Sequence, residues 1–320
     1  MNTQAPIEVA FVNAKIEEGF EHPDAAPPAR KSLSKFGFQR SEPSWVMRVR
    51  VIERHVGTLL AFILFPLTWP LAILCMVSYF IRFGALDSVY HRFFSHKSYE
   101  VGRVTQFVLA LLGAQSGQRG PLWWASKHRE HHKHVETDRD PHSPIASSIL
   151  RAGFTWFVAA EHVETNLDSI PDFAKYPEMR WINRFYWVPF YGAAALLALA
   201  GSLGLLGPHI SGLSAFLWGF EVPATIVLYM SAAINTLNHL PKFPGNYRRY
   251  PTRDASTNRF LLGIVTCGVG FHNNHHAQPS AANSGNAWWE IDASYYAIRA
   301  LQFVRLAWNV KSGSQMTSDR

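Results

Sequence analysis

The sequence contains only two cysteines, Cys75 and Cys267, and both lie in or beside apolar segments, which argues against a disulfide scaffold. Charged residues are also scarce, at 17% of the 320 residues, whereas 48% are apolar and 14% are aromatic. This composition is apolar for a soluble protein, yet a mean hydropathy of −0.04 is low for a chain that lies entirely within a membrane. The sequence therefore indicates a membrane-anchored protein with a large aqueous portion.

The N-terminal residues contain no hydrophobic core, so we expect no cleavable signal peptide. Residues 1–45 are polar and rich in proline and alanine, and we expect them to form a disordered cytoplasmic arm. No nucleic-acid motif accompanies the net charge of +7, so anionic lipid or an acidic protein fits this charge better. We divide the rest of the chain into a membrane domain with a cytosolic cap, residues 46–310, and a polar tail, residues 311–320.

Long apolar stretches predict four transmembrane helices that form two hairpins. Residues 55–83 are interrupted by Pro-Leu-Thr-Trp-Pro, which predicts a short first helix and a second one from about Trp69 through His91. Residues 186–207 and 213–237 are two further candidate spans, whereas the apolar part of 101–117 suits an interfacial or buried helix. The predicted fold class is an all-α integral membrane protein with four transmembrane helices and a cytosolic helical cap.

Nine of the fifteen histidines fall into four tight clusters between or beside the apolar stretches. The clusters are His91 and His96; His128, His131 and His132; His239; and His272, His275 and His276. A metal ion typically takes about four to six ligands, so nine imidazoles are too many for one ion and suggest two ions side by side. The cap is therefore expected to hold a dinuclear site built from histidines.

The distribution of basic residues predicts the orientation of the chain. Lys and Arg are frequent before His55, and the two short connections within the hairpins, PLTWP and GPHISG, contain neither. The positive-inside rule therefore places both termini and all four histidine clusters on the cytoplasmic side. This placement is self-consistent, since the ligands of one site cannot be divided across a bilayer.

Two of the clusters repeat a spacing that places three histidines on one face of a helix, because residues i, i+3 and i+4 are neighbours there. They begin at His128 and at His272. His91 and His96 are five residues apart, which is off-face for a regular helix, so we expect the helix to unwind near Ser95.

Asn235 precedes His239 by one helical turn at the end of the last candidate span. An amide is a poor direct ligand, so this spacing favours a water-mediated role for Asn235.

The donor set favours iron over zinc or copper. A zinc hydrolase normally combines about three protein ligands with a catalytic carboxylate, and no HExxH motif occurs here. Copper sites usually recruit Cys or Met as well. A pair of irons with neutral nitrogen ligands suits O2 activation, and a membrane location implies a lipid substrate. A non-catalytic membrane metal-binding or transport protein is the rival from another class, which clusters at the ends of spans disfavour.

The histidine motifs resemble the histidine boxes of a known family, the membrane fatty-acid desaturases. The matching segments are HRFFSH (91–96), HREHHK with ETDRDPH (128–142), NTLNH (235–239), HNNHH (272–276) and WWEID (288–292). The order of the motifs agrees over roughly residues 50–310. The most similar branch is the acyl-CoA Δ9, or stearoyl-CoA desaturase-like, type with its bacterial members.

This resemblance implies an enzyme that introduces a cis double bond into an acyl chain carried on CoA, acyl carrier protein or a lipid. It implies two Fe²⁺ ions held by the nine histidines, with Asn235 as a water-mediated ligand and O2 as a co-substrate that consumes two electrons per double bond. It also implies an integral membrane protein, here of a bacterial inner membrane, with a bent acyl tunnel that selects the carbon to be oxidised.

Two departures from the family pattern lie close to the boxes. Val269 stands where the family usually has Glu, which removes a possible carboxylate partner of a ligating histidine. Asp87 lies one helical turn before His91, where the family more often has a small or neutral residue, so it could substitute as a carboxylate near the site.

Asp140 and His142 are further candidates for residues behind the ligands. These departures leave an acetylenase or hydroxylase acting on a specialised acyl substrate as the alternative.

The chain contains no heme-binding HPGG motif, so the electrons must come from a separate donor of the ferredoxin or cytochrome b5 class. Basic residues near the boxes, of which Arg129, Lys133 and Arg249 are candidates, could dock an acidic donor. They could equally hold the phosphates of CoA, of acyl carrier protein or of anionic lipid.

Overall fold

The computed structural model describes residues 35–40 and 42–313, and this part of the chain is predominantly helical. The α-helices are α1 (Ser44–Leu64), α2 (Trp69–Ala85), α3 (Arg103–Ala114), α4 (Pro121–His134), α5 (Pro171–Ala174), α6 (Pro177–Arg184), α7 (Trp187–Ser202), α8 (Gly212–Phe216), α9 (Val222–Leu237), α10 (Phe260–Val265), α11 (His272–Ala277) and α12 (Ala293–Phe303). Three π-helices, Leu86–Ser95, Arg151–Thr155 and Leu217–Glu221, and three 3₁₀ turns, Trp156–Val158, Ala160–His162 and Leu167–Ser169, complete the helices of the described residues.

Short strands form three antiparallel pairs in the described chain. The strands are β1 (Phe38–Arg40), β2 (Glu100–Val101), β3 (Glu164–Asn166), β4 (Asn246–Tyr247), β5 (Asn258–Arg259) and β6 (Ala307–Trp308). β1 pairs with β3, β2 with β6 and β4 with β5. The first two pairs join segments that are far apart in the sequence.

Two continuous helices are long and apolar enough to cross a membrane. One runs from Trp69 to Ser95 over 27 residues, and the other runs from Gly212 to Leu237 over 26 residues. α6 and α7 qualify together as a third, although the chain bends by 64° between them. The sequence predicted four spans, whereas the described residues offer two or three, because the first half of α1 carries Arg48, Arg50, Glu53 and Arg54.

The continuation of α2 is a π-helix that ends at Ser95, where the end of the helix was expected, but its π hydrogen bonding was not predicted. In a π-helix the hydrogen bonds link residues i and i+5, and the backbone N–H of His96 donates to the carbonyl of His91 over 3.2 Å. The i, i+5 spacing that is off-face in a regular helix therefore brings these two rings together. Their centroids lie 5.0 Å apart.

The folded domain begins earlier than the predicted end of the N-terminal arm at residue 45. β1 pairs with β3, the Gln39 amide donates to the carbonyl of Arg180, and α1 already begins at Ser44. Pairing with β1 satisfies backbone groups of β3 that would otherwise form an open edge. Residues 1–34 and 41 of the predicted arm lie outside the described residues.

The predicted polar tail also starts later than residue 311. The backbone N–H of Lys311 donates to the carbonyl of Ser98, and its own carbonyl accepts from Ala282, both over 2.9 Å. Residue 311 is thus tied to the framework, because its backbone groups find partners on two segments. Residues 314–320 of the predicted tail lie outside the described residues.

The largest apolar core lies around the π-helix Leu86–Ser95. Tyr90, Phe93 and Phe94 are almost fully buried there and pack with other aromatic rings. α3 covers this core with its buried face, as predicted for an interfacial or buried helix, and leaves Val104 exposed on the other. Gly113 is the contact point, since a Cβ there would overlap the Tyr90 ring.

This contact predicts opposite effects for the same substitution at two helical glycines. Gly113→Ala should destabilise the protein by about 1–3 kcal/mol, because the added methyl group overpacks the core. Gly192→Ala in α7 is the matched control, since a Cβ there meets no atom within 4 Å. It should leave stability unchanged or raise it by up to about 1 kcal/mol. Thermal unfolding in detergent tests both variants, and equal melting temperatures would contradict the packing described here.

Candidate metal centre

The four histidine clusters of the sequence come together from four segments of the fold. His91 lies within the π-helix and His96 directly follows it, α4 supplies three of the nine histidines, His239 follows α9, and α11 supplies three more. They form a five-histidine group, consisting of His91, His96, His128, His132 and His275, and a four-histidine group, consisting of His131, His239, His272 and His276. Within each group the ligand nitrogens all lie within 4.8 Å of one another, so that each group could hold one metal ion.

The Nε2 atoms of neighbouring rings face each other at nearly constant distances. In the five-histidine group the closest Nε2 atoms are 2.8–3.0 Å apart, and in the four-histidine group they are 3.0–3.1 Å apart. With a metal–nitrogen distance of about 2.1 Å, adjacent ligands lie about 3.0 Å apart in an octahedron and about 3.4 Å apart in a tetrahedron. The spacing therefore fits ions with more than four ligands better than tetrahedral zinc.

Carboxylates lie behind both groups and contact the opposite ring nitrogen, Nδ1. Asp87 lies 2.7 Å from Nδ1 of His91 in the five-histidine group. In the four-histidine group Asp140 lies 2.9 Å from Nδ1 of His131. These contacts fix the tautomer that carries its proton on Nδ1, which leaves Nε2 free to bind a cation.

Two further carboxylates of this kind were missed by the sequence reasoning. Asp254 lies 2.7 Å from Nδ1 of His276, and Glu136 lies 3.4 Å from Nδ1 of His239. Glu136 belongs to the ETDRDPH segment, so its place in the motif was an available signal. Asp254 follows β4 in an irregular segment, where no periodicity links it to the boxes.

The remaining candidates near the site occupy distinct positions. His142 stacks obliquely on His131 with ring centroids 4.4 Å apart, and its Nδ1 lies 3.9 Å from the Asp140 carboxylate. Asn235 faces the cavity beside the four-histidine group, together with Val269. Nδ1 of His272 is buried without a hydrogen-bond partner among the described residues.

The three basic candidates are not equally free to bind a partner. Arg129 is engaged within the fold, because its guanidinium donates to the carbonyls of Phe94 and Ser95 and pairs with Asp172 over 2.8 Å. Arg129 therefore anchors the end of the π-helix, contrary to the expectation of a docking role. Lys133 is exposed on α4.

Arg249 is exposed and pairs over 2.8 Å with Glu290, whose carboxylate also accepts from the Asn274 amide of HNNHH. This contact links Arg249 to the segment that supports α11, although part of its surface stays accessible. Glu290 belongs to the WWEID segment, which accordingly holds the last histidine cluster in place.

An apolar cavity adjoins both groups. Its apolar lining includes Phe83, Leu86, Trp124, Trp156, Ile234 and Val269. His91 and His128 of the five-histidine group and His131 and His272 of the four-histidine group border the same space. A hydrocarbon chain in this cavity would therefore lie directly against the candidate metal ligands.

Burial is the main cause that lowers the pKa of most of these histidines. The affected residues are His96, His128, His131, His132, His272, His275 and His276. Burial raises the pKa of Asp140 and Asp254, but their hydrogen bonds with His131 and His276 outweigh it and hold both pKa values below the usual range. Neutral imidazoles and ionised carboxylates are the protonation states that a bound cation requires.

These shifts predict that the metal-free protein loses stability as the pH falls from about 7 towards about 4. Burial lowers the pKa of His142 from 6.5 to about 4, so it stays neutral in the folded state while the unfolded chain binds a proton. Such a histidine contributes up to about 1.4 kcal/mol per pH unit, and acid favours the unfolded state. Thermal melting across this range should show a smaller pH dependence for His142→Asn. An unchanged slope would contradict the assignment.

Comparisons with known proteins agree with this geometry. Residues 67–308 match the family model described as fatty acid desaturase. The chain is 30% identical to an sn-1 stearoyl-lipid 9-desaturase of Anabaena variabilis over 84% of this chain and 94% of that protein. It is 32% identical to an acyl-CoA C20 Delta5-desaturase of Anemone leveillei over 78% of this chain and 76% of that protein. The chain therefore belongs to the fatty acid desaturase family, and it is an oxidoreductase that acts on fatty acyl chains.

Proposed function

We propose that this desaturase holds two iron ions and uses O2 and two electrons to introduce a cis double bond into an acyl chain. The observation that carries the proposal is the pair of histidine groups beside one apolar cavity. All nine donors are imidazole nitrogens, and the spacing of their Nε2 atoms fits ions with more than four ligands. When bound, iron would supply the activation of O2 that oxidation of an unactivated C–H bond requires.

In this proposal each histidine group holds one iron. The four-histidine group offers one nitrogen fewer than the five-histidine group, and Asn235 borders the cavity next to it. Asn235 would complete that group through a water molecule, because its amide oxygen accepts a hydrogen bond more readily than it ligates a cation. The carboxylates of Asp87, Asp140, Asp254 and Glu136 would orient the imidazoles from behind.

The chain's own residues position the substrate. The apolar lining excludes water from the acyl chain, and the rings of Trp124 and Trp156 form part of its wall. Only the methylene groups that the wall holds next to the histidines can be oxidised, so the cavity determines the double-bond position. The relatives named above act on a lipid-linked and a CoA-linked chain. The acyl group of this enzyme would accordingly be carried on a lipid, CoA or acyl carrier protein.

We further propose four membrane spans, formed by α1, the helix from Trp69 to Ser95, the bent pair α6–α7 and the helix from Gly212 to Leu237. The apolar composition of the last three supports this topology. Both termini and the histidines would face the cytoplasm of a bacterium, with the spans in the inner membrane, since the basic residues precede the apolar half of α1. The membrane domain with its cap would then start near Phe36 instead of residue 46.

Electrons would arrive from a separate ferredoxin- or cytochrome b5-like protein. Lys133 supports this proposal best among the basic candidates, because it is exposed on the helix that carries three candidate ligands. Arg249 would take part through the accessible part of its side chain. An acidic donor would be attracted to this basic surface, and its association would weaken as the salt concentration rises.

The proposal predicts a new alkene in aerobic bacteria that express the chain. Gas chromatography–mass spectrometry of total fatty acids should detect it with the wild type, and purified protein should contain about two irons per chain. His131→Ala should abolish the product and lower the iron content, because it removes a donor of the four-histidine group. His209→Ala, at an exposed position, is the matched control and should retain both.

The outcomes separate the candidate reactions, provided that all variants reach the membrane at equal levels. A hydroxylated or acetylenic product would replace the desaturase proposal by the alternative at the same site. Iron-loaded wild-type protein that yields no new product when supplied with a ferredoxin and acyl lipid, acyl-CoA and acyl carrier protein substrates would contradict both reactions.

Asp87 provides a test of the carboxylates behind the ligands. Asp87→Asn should weaken iron binding about 10- to 100-fold, because an amide is a weaker acceptor for Nδ1 of His91 and places a donor against Arg92. Asp138→Asn, which changes an exposed carboxylate in the same way, is the control. Iron occupancy and turnover equal to those of the wild type would show that Asp87 has no such role.

A further inference from the structure

The turn between α3 and α4 is held from outside by side chains that bind alternate carbonyls. Arg82 donates to the carbonyl of Gln115, Arg54 donates over 3.1 Å to the carbonyl of Gly117, and Tyr90 donates over 3.1 Å to the carbonyl of Arg119. The three donors come from α2, α1 and the π-helix. Three elements of the fold therefore converge on one short segment of backbone.

The same turn leads a polar side chain into the apolar cavity. Gln118 lies between the carbonyls that Arg54 and Tyr90 hold, and it borders the cavity together with Phe83 and Trp124. Its Nε2 is buried and has no hydrogen-bond partner among the described residues. The side-chain amide of Gln118 is thus part of the cavity wall. Its position depends on the hydrogen bonds that hold the backbone carbonyls on either side of it.

The backbone conformation of the turn is unfavourable and needs contacts that stabilise it. Gly117 and Arg119 both have positive φ angles, of 66° and 62°, and the left-handed region costs a non-glycine residue free energy. A Cβ at Gly117 would lie 2.7 Å from both the Arg54 guanidinium and the Phe190 ring. Arg54 is therefore in close contact with the turn, and the glycine is needed for that contact.

Both arginines are buried where charge is costly. Arg54 and Arg82 are 1% and 3% exposed, and their guanidiniums lie over the rings of Phe190 and Phe220 at 4.8 and 4.5 Å. The side chain of Glu221 is fully buried as well. Ionisable side chains in such surroundings are retained where they serve a function. Here their hydrogen bonds are directed at the turn.

We infer that Arg54 and Arg82 are positioning residues for the acyl chain: by holding the turn they fix Gln118 in the cavity wall, and through it the position of the new double bond. The inference rests on the proposed function, because it concerns which methylene group lies next to the histidines. It extends that function to two arginines whose hydrogen bonds go to the turn and not to the cavity or to the candidate metal ligands. Gln118 is the residue that touches the substrate.

The test compares the positional isomers of the alkene made by Arg54→Met, Arg82→Met and Gln118→Leu in expressing bacteria. Each variant should raise the ratio of minor to main isomer about tenfold, as expected for the loss of one hydrogen bond to a charged or buried group. The iron content per chain should equal that of the wild type. Arg103→Met on the exposed end of α3 is the matched control, and its isomer ratio should not change.

Several outcomes would overturn the inference. An unchanged isomer ratio in Gln118→Leu would remove the wall residue through which the arginines act. Arginine variants that lose product in proportion to folded protein, at a constant isomer ratio, would have a structural role only. Where the Met variants fail to reach the membrane, Arg54→Lys and Arg82→Lys keep one charged donor and should shift the ratio less, and a constant ratio there also contradicts the inference. Wild-type protein without any alkene product would instead contradict the proposed function.

Discussion

The rest of the structure depends on one constraint: nine imidazoles come together in two groups, and within each group the ligand nitrogens lie within 4.8 Å of one another. A proton on an inward-facing nitrogen would exclude a cation from that position. A cation satisfies so many inward-facing lone pairs. The orientation of the rings is fixed separately, through the outer nitrogen, because carboxylates contact Nδ1 in four of the rings. The irregular segments that follow α4 and β4 therefore bring acidic side chains to the far side of the histidines.

The two histidine groups differ in the number of carboxylates that contact their Nδ1 atoms, because different segments of the chain pass behind each group. The four-histidine group is contacted by Asp140, Asp254 and Glu136, which come from two loops. Among the described carboxylates, Asp87 is the one that contacts the five-histidine group, and it does so from within the same helix as His91. Asp87 also pairs over 2.7 Å with Arg92, which extends the network to Asp292 and the start of α12. One buried ionic network therefore connects His91, the π-helix and the residue that precedes α12.

The sequence was sufficient for the parts of this arrangement that follow a regular period. The two HxxHH clusters lie on helices as their spacing predicts, and the motifs identified the family. The π-helix was not predictable, because its i, i+5 period matches no regular helix and its hydrogen bonds depend on the surrounding core. Asp254 was missed for a similar reason, since an irregular loop brings it to His276. The short helix predicted before Trp69 is longer in the structure, and its first half carries charged side chains. Hydrogen bonds with Tyr186 and Tyr191 accommodate two of these side chains, Arg50 and Glu53.

The division of each HxxHH cluster between the two groups has a geometric consequence. α4 gives His128 and His132 to one group and His131 to the other, and α11 gives His275 to one and His272 with His276 to the other. Adjacent residues of a helix point about 100° apart, so each helix serves as a rigid strut that reaches both positions at once. The distance between two bound ions would then be set by helical pitch, and lengthening a loop would leave it unaltered. Only an inserted or deleted residue within one of these helices could change that distance, and it would disrupt both positions together.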